Sequence, residues 1–114
     1  MTRAAFRRLA LSLPDAVEAE HMGHPDCRVG GKIFATLGSR ASGLGMVSLT
    51  PEEQAFFVGS DPATFTPVRG CWGRSGATSV ILRVATKAAV HAALTAAWER
   101  RNIKSTSTKQ KPNR

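Results

Sequence analysis

Apolar residues recur with helical spacing at both ends of the chain. Near the start, the spacing i, i+3, i+4, i+7 is made by Phe6, Leu9, Ala10 and Leu13. It predicts an amphipathic helix over residues 2–13, capped by Thr2 and stopped by Pro14, because a residue before proline disfavours helical geometry. Near the other end, Thr86 caps a predicted helix. The apolar face of that last helix consists of Val90, Leu94, Ala97 and Trp98.

Between these two helices the pattern is typical of β-strands. The predicted strands are residues 16–21 (a possible edge strand), 27–29, 32–37, 46–49, 65–68 and 78–85. Segment 78–85 is the best-supported strand prediction, since it is dense in β-branched and aliphatic residues. Gly30-Gly31 predicts a hairpin turn, and a loop rich in glycine and serine follows residue 37. From Val17 to Leu49 the links are too short for crossover helices, so we expect an antiparallel meander.

A third helix is predicted in the middle of the chain. Thr50 is an N-cap, Pro51 suits the first helical position, and Glu53 completes a capping box. The helix should end near Gly59. Three glycines within residues 70–76 predict a tight turn or a bulge. The fold class is therefore α+β, with an antiparallel sheet on which N-terminal, middle and C-terminal helices pack.

Length and composition are those of one independent domain. The chain has 114 residues, of which 42% are hydrophobic, enough to bury a core without metal or disulfide staples. Two cysteines are too few for a disulfide framework. No apolar run approaches the length needed to cross a bilayer. The Arg-rich start is superficially like a transit peptide, but a first helix of a cytoplasmic, monomeric protein is the favoured interpretation.

Positive charge is concentrated at the end of the chain. The net charge is +8, and residues 101–114 contain five basic residues and no acid. After Ile103 the sequence is polar and has no core residue, so we expect a domain over residues 1–103 and a disordered basic tail over 104–114. This charge indicates an acidic polymer as partner but says nothing about fold.

Two segments together resemble a known family. They are HPDCRVGGKIFATL, residues 24–37, and FTPVRGCWGRSGAT, residues 65–78, with LTPEEQ between them and AAW near the end. Their order resembles the MmcQ/YjbR-like family over about residues 3–103. The resemblance implies an α+β fold related to that of frataxin, with two β-wings described as a double-wing DNA-binding arrangement. Because fold does not determine function, the site residues must be judged separately.

The candidate nucleic-acid-binding residues flank the two glycine-rich turns. Arg28 and Lys32 border Gly30-Gly31, and Arg69 and Arg74 border Trp72. Basic side chains on protruding hairpins are suited to phosphate contacts, and an exposed Trp could stack on a base. The alternatives are a solvated hairpin of mixed charge and a Trp72 side chain that packs back over its own sheet. The leading hypothesis is a non-enzymatic protein that binds DNA weakly and without sequence preference.

No catalytic or metal-binding set of residues is evident, and we expect no cofactor. His21 and His24 form an HxxH outside a helix, and His24 suits a turn before Pro25. Cys27 should point into the core rather than act as a nucleophile. The implied relation to frataxin does not extend to iron binding, since the first helix is basic. The runner-up function is a protein- or small-ligand-binding adaptor, with a pocket lined by Trp72, Phe34 and Met46.

Overall fold

The computed structural model describes residues 1–38 and 42–102. The tail predicted over 104–114 therefore lies outside the described residues, as does Arg40, a basic residue of the loop rich in glycine and serine that could also contact phosphate. The α-helices are α1 Arg3–Leu11, α2 Pro51–Ser60, α3 Cys71–Arg74 and α4 Lys87–Arg101. The strands are β1 Val17–His21, β2 His24–Val29, β3 Lys32–Leu37, β4 Leu44–Ser48, β5 Phe65–Pro67 and β6 Ala77–Ile81. A 3₁₀ turn, Leu82–Val84, joins β6 to α4. The predicted α+β class is confirmed.

The six strands of the described residues form one antiparallel sheet, in the order β1-β2-β3-β4-β6-β5. The first four strands are a meander, as predicted, but β6 lies between β4 and β5. The prediction of a simple meander is therefore wrong for the last two strands. The physical reason is that α2 separates β4 from β5, which leaves room for β6 to pair with β4 first.

One face of the sheet is sealed by α1 and α4. The buried apolar core on this side includes Phe6 and Ala10 of α1, Val90 and Leu94 of α4, and Phe34 of β3. The pairing of β2 with β3 shifts register between Cys27 and Arg28, with Cys27 opposite Ala35 and Arg28 opposite Ile33. This bulge leaves Phe34 unpaired, so both Phe34 and Ala35 can be buried although they are neighbours in a strand.

Three local predictions are wrong. Residues 71–74 form the short helix α3, where a tight turn or bulge was expected. The strand predicted over 78–85 ends at Ile81 and gives way to the 3₁₀ turn. His24 is the first residue of β2 and pairs with His21, so it is not a turn residue. Hydrophobic periodicity does not distinguish a strand from a short helical turn that ends it.

Close backbone approach requires glycine within α3, at Gly73, and shortly after it, at Gly76. A Cβ at Gly73 would lie 1.6 Å from the carbonyl oxygen of Val68, and one at Gly76 would lie 1.9 Å from that of Leu49. Gly76 also has φ +114, a conformation that residues with a side chain rarely adopt. These two glycines hold α3 tightly against the ends of β4 and β5. The position of Trp72, on α3, is therefore fixed by the backbone.

The predicted helix starts are confirmed. Thr2, Thr50 and Thr86 each accept a hydrogen bond from a backbone N–H of the first turn, and Thr50 and Glu53 form the full capping box. Within residues 1–38 and 42–102, no helix is both long and apolar enough to cross a membrane.

Candidate functional site

Several basic segments meet at one end of the sheet. The Gly30-Gly31 turn joins β2 to β3 at this end, where β4 finishes and β6 begins, since Ser48 pairs with Ala77. The last turn of α4 reaches the same place. The positively charged residues of this region are Arg28, Lys32, Arg69, Arg74, Arg100 and Arg101, and we call them the basic end.

The structure brings the predicted site residues to this end, but they are not equivalent. Lys32, Arg69 and Arg74 are exposed, and none of them forms an ion pair within the described part of the chain. Val68, next to Arg69, donates its N–H to the carbonyl of Ala77 at 3.0 Å, which fixes the chain before α3 to the start of β6. These three cations are free to contact an external anion.

Arg28, by contrast, is neutralised by Asp26. Its Nε donates to Asp26 Oδ1 at 2.8 Å and its terminal nitrogen to Oδ2 at 3.0 Å. The buried Asp26 also pairs with Nδ1 of His21 at 2.8 Å. The hydrogen bonds from Arg28 and then from His21 hold the pKa of Asp26 below its usual value, against the opposing effect of burial. Arg28 therefore stabilises the fold rather than remaining available to a ligand.

Two further arginines were not among the predicted site residues. Arg100 and Arg101 both donate to the hydroxyl of Ser48, each at 2.9 Å, and Arg101 Nε donates to the carbonyl of Ile33 at 3.1 Å. Neither guanidinium contacts a carboxylate among residues 1–38 and 42–102. Burial and the adjacent charge of Arg100 lower the pKa of Arg101.

The sequence contained a weak signal for this pair. Arg100 and Arg101 lie in the last turn of α4, where basic side chains also favour the helix dipole, so a structural role is sufficient to explain them. Their place beside β3 and β4 depends on how α4 crosses the sheet, and helical periodicity alone does not determine that crossing.

A pocket of about 380 Å³ lies next to these arginines, on the sheet face that α1 and α4 leave open. The register places Thr36 beside Met46 on this face. The lining includes Ile33, Thr36, Met46, Trp72, Arg100 and Arg101, and we call it the Trp72 pocket. The Trp72 side chain is 71% exposed, although it lines the pocket over its own sheet. The lining predicted for a pocket is wrong in one residue, because Phe34 is buried on the helix-covered face.

The two cysteines have opposite environments. Cys27 is buried, as predicted, and burial raises the pKa of its thiol to about 11. A thiol with this pKa is neutral and a poor nucleophile at neutral pH. Cys71 is exposed on α3 next to Trp72. Across the residues that the structure describes, no group of three or more His, Cys, Asp or Glu side chains is placed to hold a metal ion.

Comparison with known proteins establishes the family. A search of curated proteins and a search of solved structures both return no match. The model of the YjbR family matches residues 11–100, which include β1 to β6 and nearly all of α4. That range is well over half of the chain and includes both segments on which the resemblance rested. The chain therefore belongs to the YjbR family.

Proposed function

We propose that this protein is a non-enzymatic DNA-binding domain that contacts the phosphate backbone through its basic end. The single observation that supports this most strongly is that five cations near one end of the sheet have no carboxylate partner within the described chain: Lys32, Arg69, Arg74, Arg100 and Arg101. Unpaired Lys and Arg side chains that share one side of a protein are suited to neutralising several phosphates at once.

The distribution of acids supports the same proposal. Arg7 is paired with Glu18 on the helix-covered side of the sheet, and Arg28 is paired with Asp26. Thus the ion pairs of the described chain leave most of the basic end unneutralised. Glu52 and Glu99 lie on the adjoining helices and form no ion pair with it. The local potential at the basic end should therefore be positive, independently of the tail.

Phosphate contacts of this kind favour weak binding with little sequence preference. Non-specific complexes typically have Kd on the order of 10⁻⁴ to 10⁻⁶ M at physiological salt. With about five phosphate contacts, raising the salt from about 50 to about 200 mM should weaken binding several hundred-fold. The double-wing arrangement is a finer part of the same hypothesis. Base stacking by Trp72 is a separate candidate role, which contacts to the phosphate backbone do not require.

The experiment measures fluorescence anisotropy of a labelled duplex with the full-length protein at low salt. One variant removes three charges from the basic end: Lys32→Gln, Arg69→Gln and Arg74→Gln. A matched control removes three exposed charges elsewhere: Arg8→Gln, Arg83→Gln and Lys87→Gln. A third variant replaces the basic residues beyond Ile103 with glutamine: Lys104, Lys109, Lys111 and Arg114.

We expect the basic-end variant to lose at least about tenfold in affinity, and the control to lose much less. Equal losses in these two variants would mean that only net charge matters, and would contradict the proposal. Loss of all affinity in the tail variant alone would assign binding to the tail. No binding by the unmodified protein at low salt would also contradict it.

A further inference from the structure

The Trp72 pocket has features that phosphate-backbone binding does not explain. It is concave, its volume of about 380 Å³ falls within the usual range for small-ligand sites, and it combines apolar and cationic walls. A backbone-binding surface needs exposed cations but needs neither a cavity nor an apolar floor. We propose that this pocket binds a small planar aromatic anion, with the ring against Trp72 and the carboxylate or phosphate on Arg100 and Arg101.

The aromatic half of the site is formed by Trp72 and the sheet. Trp72 is 71% exposed, although tryptophan is highly buried on average, so its ring is accessible to a ligand. Close packing of Gly73 against Val68 fixes its helix, so the indole is presented by a rigid support. Met46 and Ile33 supply apolar contacts on the floor, and a thioether adapts to rings of different shape. A planar ring fits between these surfaces.

The part of the site that would bind the anionic group of the ligand is formed by the two arginines. Arg100 and Arg101 share a single neutral acceptor, the Ser48 hydroxyl, with both contacts at 2.9 Å. A guanidinium has five N–H donors, so most donors of this pair remain available to a ligand. Two adjacent cations without a carboxylate partner in the described chain repel each other, and a bound anion would remove that repulsion. The bidentate geometry of Arg suits a carboxylate or a phosphate equally.

No carboxylate of the described chain forms an ion pair with Arg100 or Arg101. Residues 101–114 contain no Asp or Glu, and Glu99 is exposed on α4 without an ion pair to either arginine. His21, which also lines the pocket, is oriented by its 2.8 Å contact with buried Asp26. The charge partner of Arg100 and Arg101 is therefore expected to come from outside the protein.

Isothermal titration calorimetry with the full-length protein tests this proposal. The probes are 2-naphthoate, the uncharged 2-naphthalenemethanol, and adenosine 5′-monophosphate. Binding of naphthoate but not of the nucleotide would identify a free aromatic acid as the source of the ligand. Preference for the nucleotide would identify a base with its phosphate. Either result supports the site, whereas equal binding of the uncharged alcohol, or no binding of either anion at millimolar concentration, would overturn it.

Two pairs of variants localise any binding. Trp72→Ala should weaken it by about fivefold to a hundredfold, the usual range for loss of a stacking ring, while Phe56→Ala, another exposed aromatic, should leave it unchanged. Arg100→Gln should weaken it by at least about tenfold, while Arg83→Gln at the far end of β6 should have no effect. Unchanged affinity in both pocket variants would overturn the proposal, and circular dichroism confirms that each variant is folded.

Binding of a small anion in the Trp72 pocket can be tested separately from the DNA hypothesis. Arg100 belongs to both surfaces, but Trp72→Ala removes no charge. We expect Trp72→Ala to weaken naphthoate or nucleotide binding while its affinity for duplex DNA changes less than about twofold, since backbone contacts depend on charge. Failure of the small anions to bind would leave the duplex titration unaffected.

Discussion

The two faces of the sheet differ in how deeply their side chains are buried. The face covered by α1 and α4 is apolar and sealed, with Phe34, Val47 and Leu94 fully buried. The other face has polar and charged side chains, and the exposed Trp72 lies at its end. Hydrophobic burial is the main source of stability, so the sealed face should account for most of the free energy of folding. The open face, whose apolar residues Ile33 and Met46 are only partly buried, is the one available to a ligand.

The sharpest contrast is between two aromatic residues. Phe34→Ala should lower the free energy of unfolding by about 3–5 kcal/mol, because it removes a fully buried ring and leaves a cavity. Trp72→Ala should change it by less than about 0.5 kcal/mol, because the side chain is mostly exposed. Urea denaturation of both variants checks this, and similar losses would contradict the division between the two faces.

The reaction rates of the two cysteines should show the difference between buried and exposed positions without any mutation. The pKa of Cys27, about 11, lies well above that of an ordinary thiol, so its thiolate fraction at neutral pH is lower by roughly two orders of magnitude. Cys71 is exposed and should react with a maleimide at an ordinary rate. Mass spectrometry of the native protein should show one label, on Cys71. Two labels under native conditions, without unfolding, would mean that the core around Cys27 is accessible to the reagent, which would contradict its burial.

Acid stability should depend on the one buried carboxylate of the open face. Because Arg28 and His21 hold the pKa of Asp26 below its unfolded value of about 3.9, its ion pair adds stability above about pH 4. That contribution is lost as the pH falls below this value and Asp26 is protonated. Asp26→Asn should cost about 1–3 kcal/mol at pH 7 and flatten the acid limb of the stability curve. A variant that keeps the wild-type acid limb would contradict this assignment.

The smallest expected effect is at a helix start. Thr50→Ala removes the side chain that accepts the backbone N–H of Glu53, at 3.1 Å, and should cost about 1 kcal/mol. Thr50→Ser keeps the hydroxyl and serves as the control, with a change of less than about 0.5 kcal/mol. Thermal denaturation measures both. A larger loss than that of Asp26→Asn would mean that α2 contributes more to the fold than its partly exposed packing indicates.

The sequence predicted those parts of the fold that depend on local pattern. Helical spacing around Phe6, the Thr50 capping box and the Gly30-Gly31 turn are local signals, and each was confirmed. The insertion of β6 between β4 and β5 depends on contacts distant in sequence, which periodicity does not contain. Helix α3 was missed because a helix of four residues is too short to show a helical period.

The candidate site shows the same limit. Lys32, Arg69 and Arg74 were proposed as phosphate contacts because they border glycine-rich turns. The ion pair that offsets the charge of Arg28 could not be found in this way, since its pairing with Asp26 on the same strand depends on burial of that carboxylate. Arg100 and Arg101 were missed because their contact with Ser48 spans about fifty residues of chain. Charge can be counted from sequence, but charge pairing requires the fold.

The salt dependence of duplex binding tests the central claim most directly. The logarithm of the binding constant should fall with the logarithm of salt concentration, with a slope of about −0.9 for each neutralised phosphate. Removing the charges of Lys32, Arg69 and Arg74 should reduce the magnitude of that slope by about 2.7, while removing those of Arg8, Arg83 and Lys87 should leave it nearly unchanged. An equal slope for these two variants would contradict the claim that the basic end contacts the phosphates.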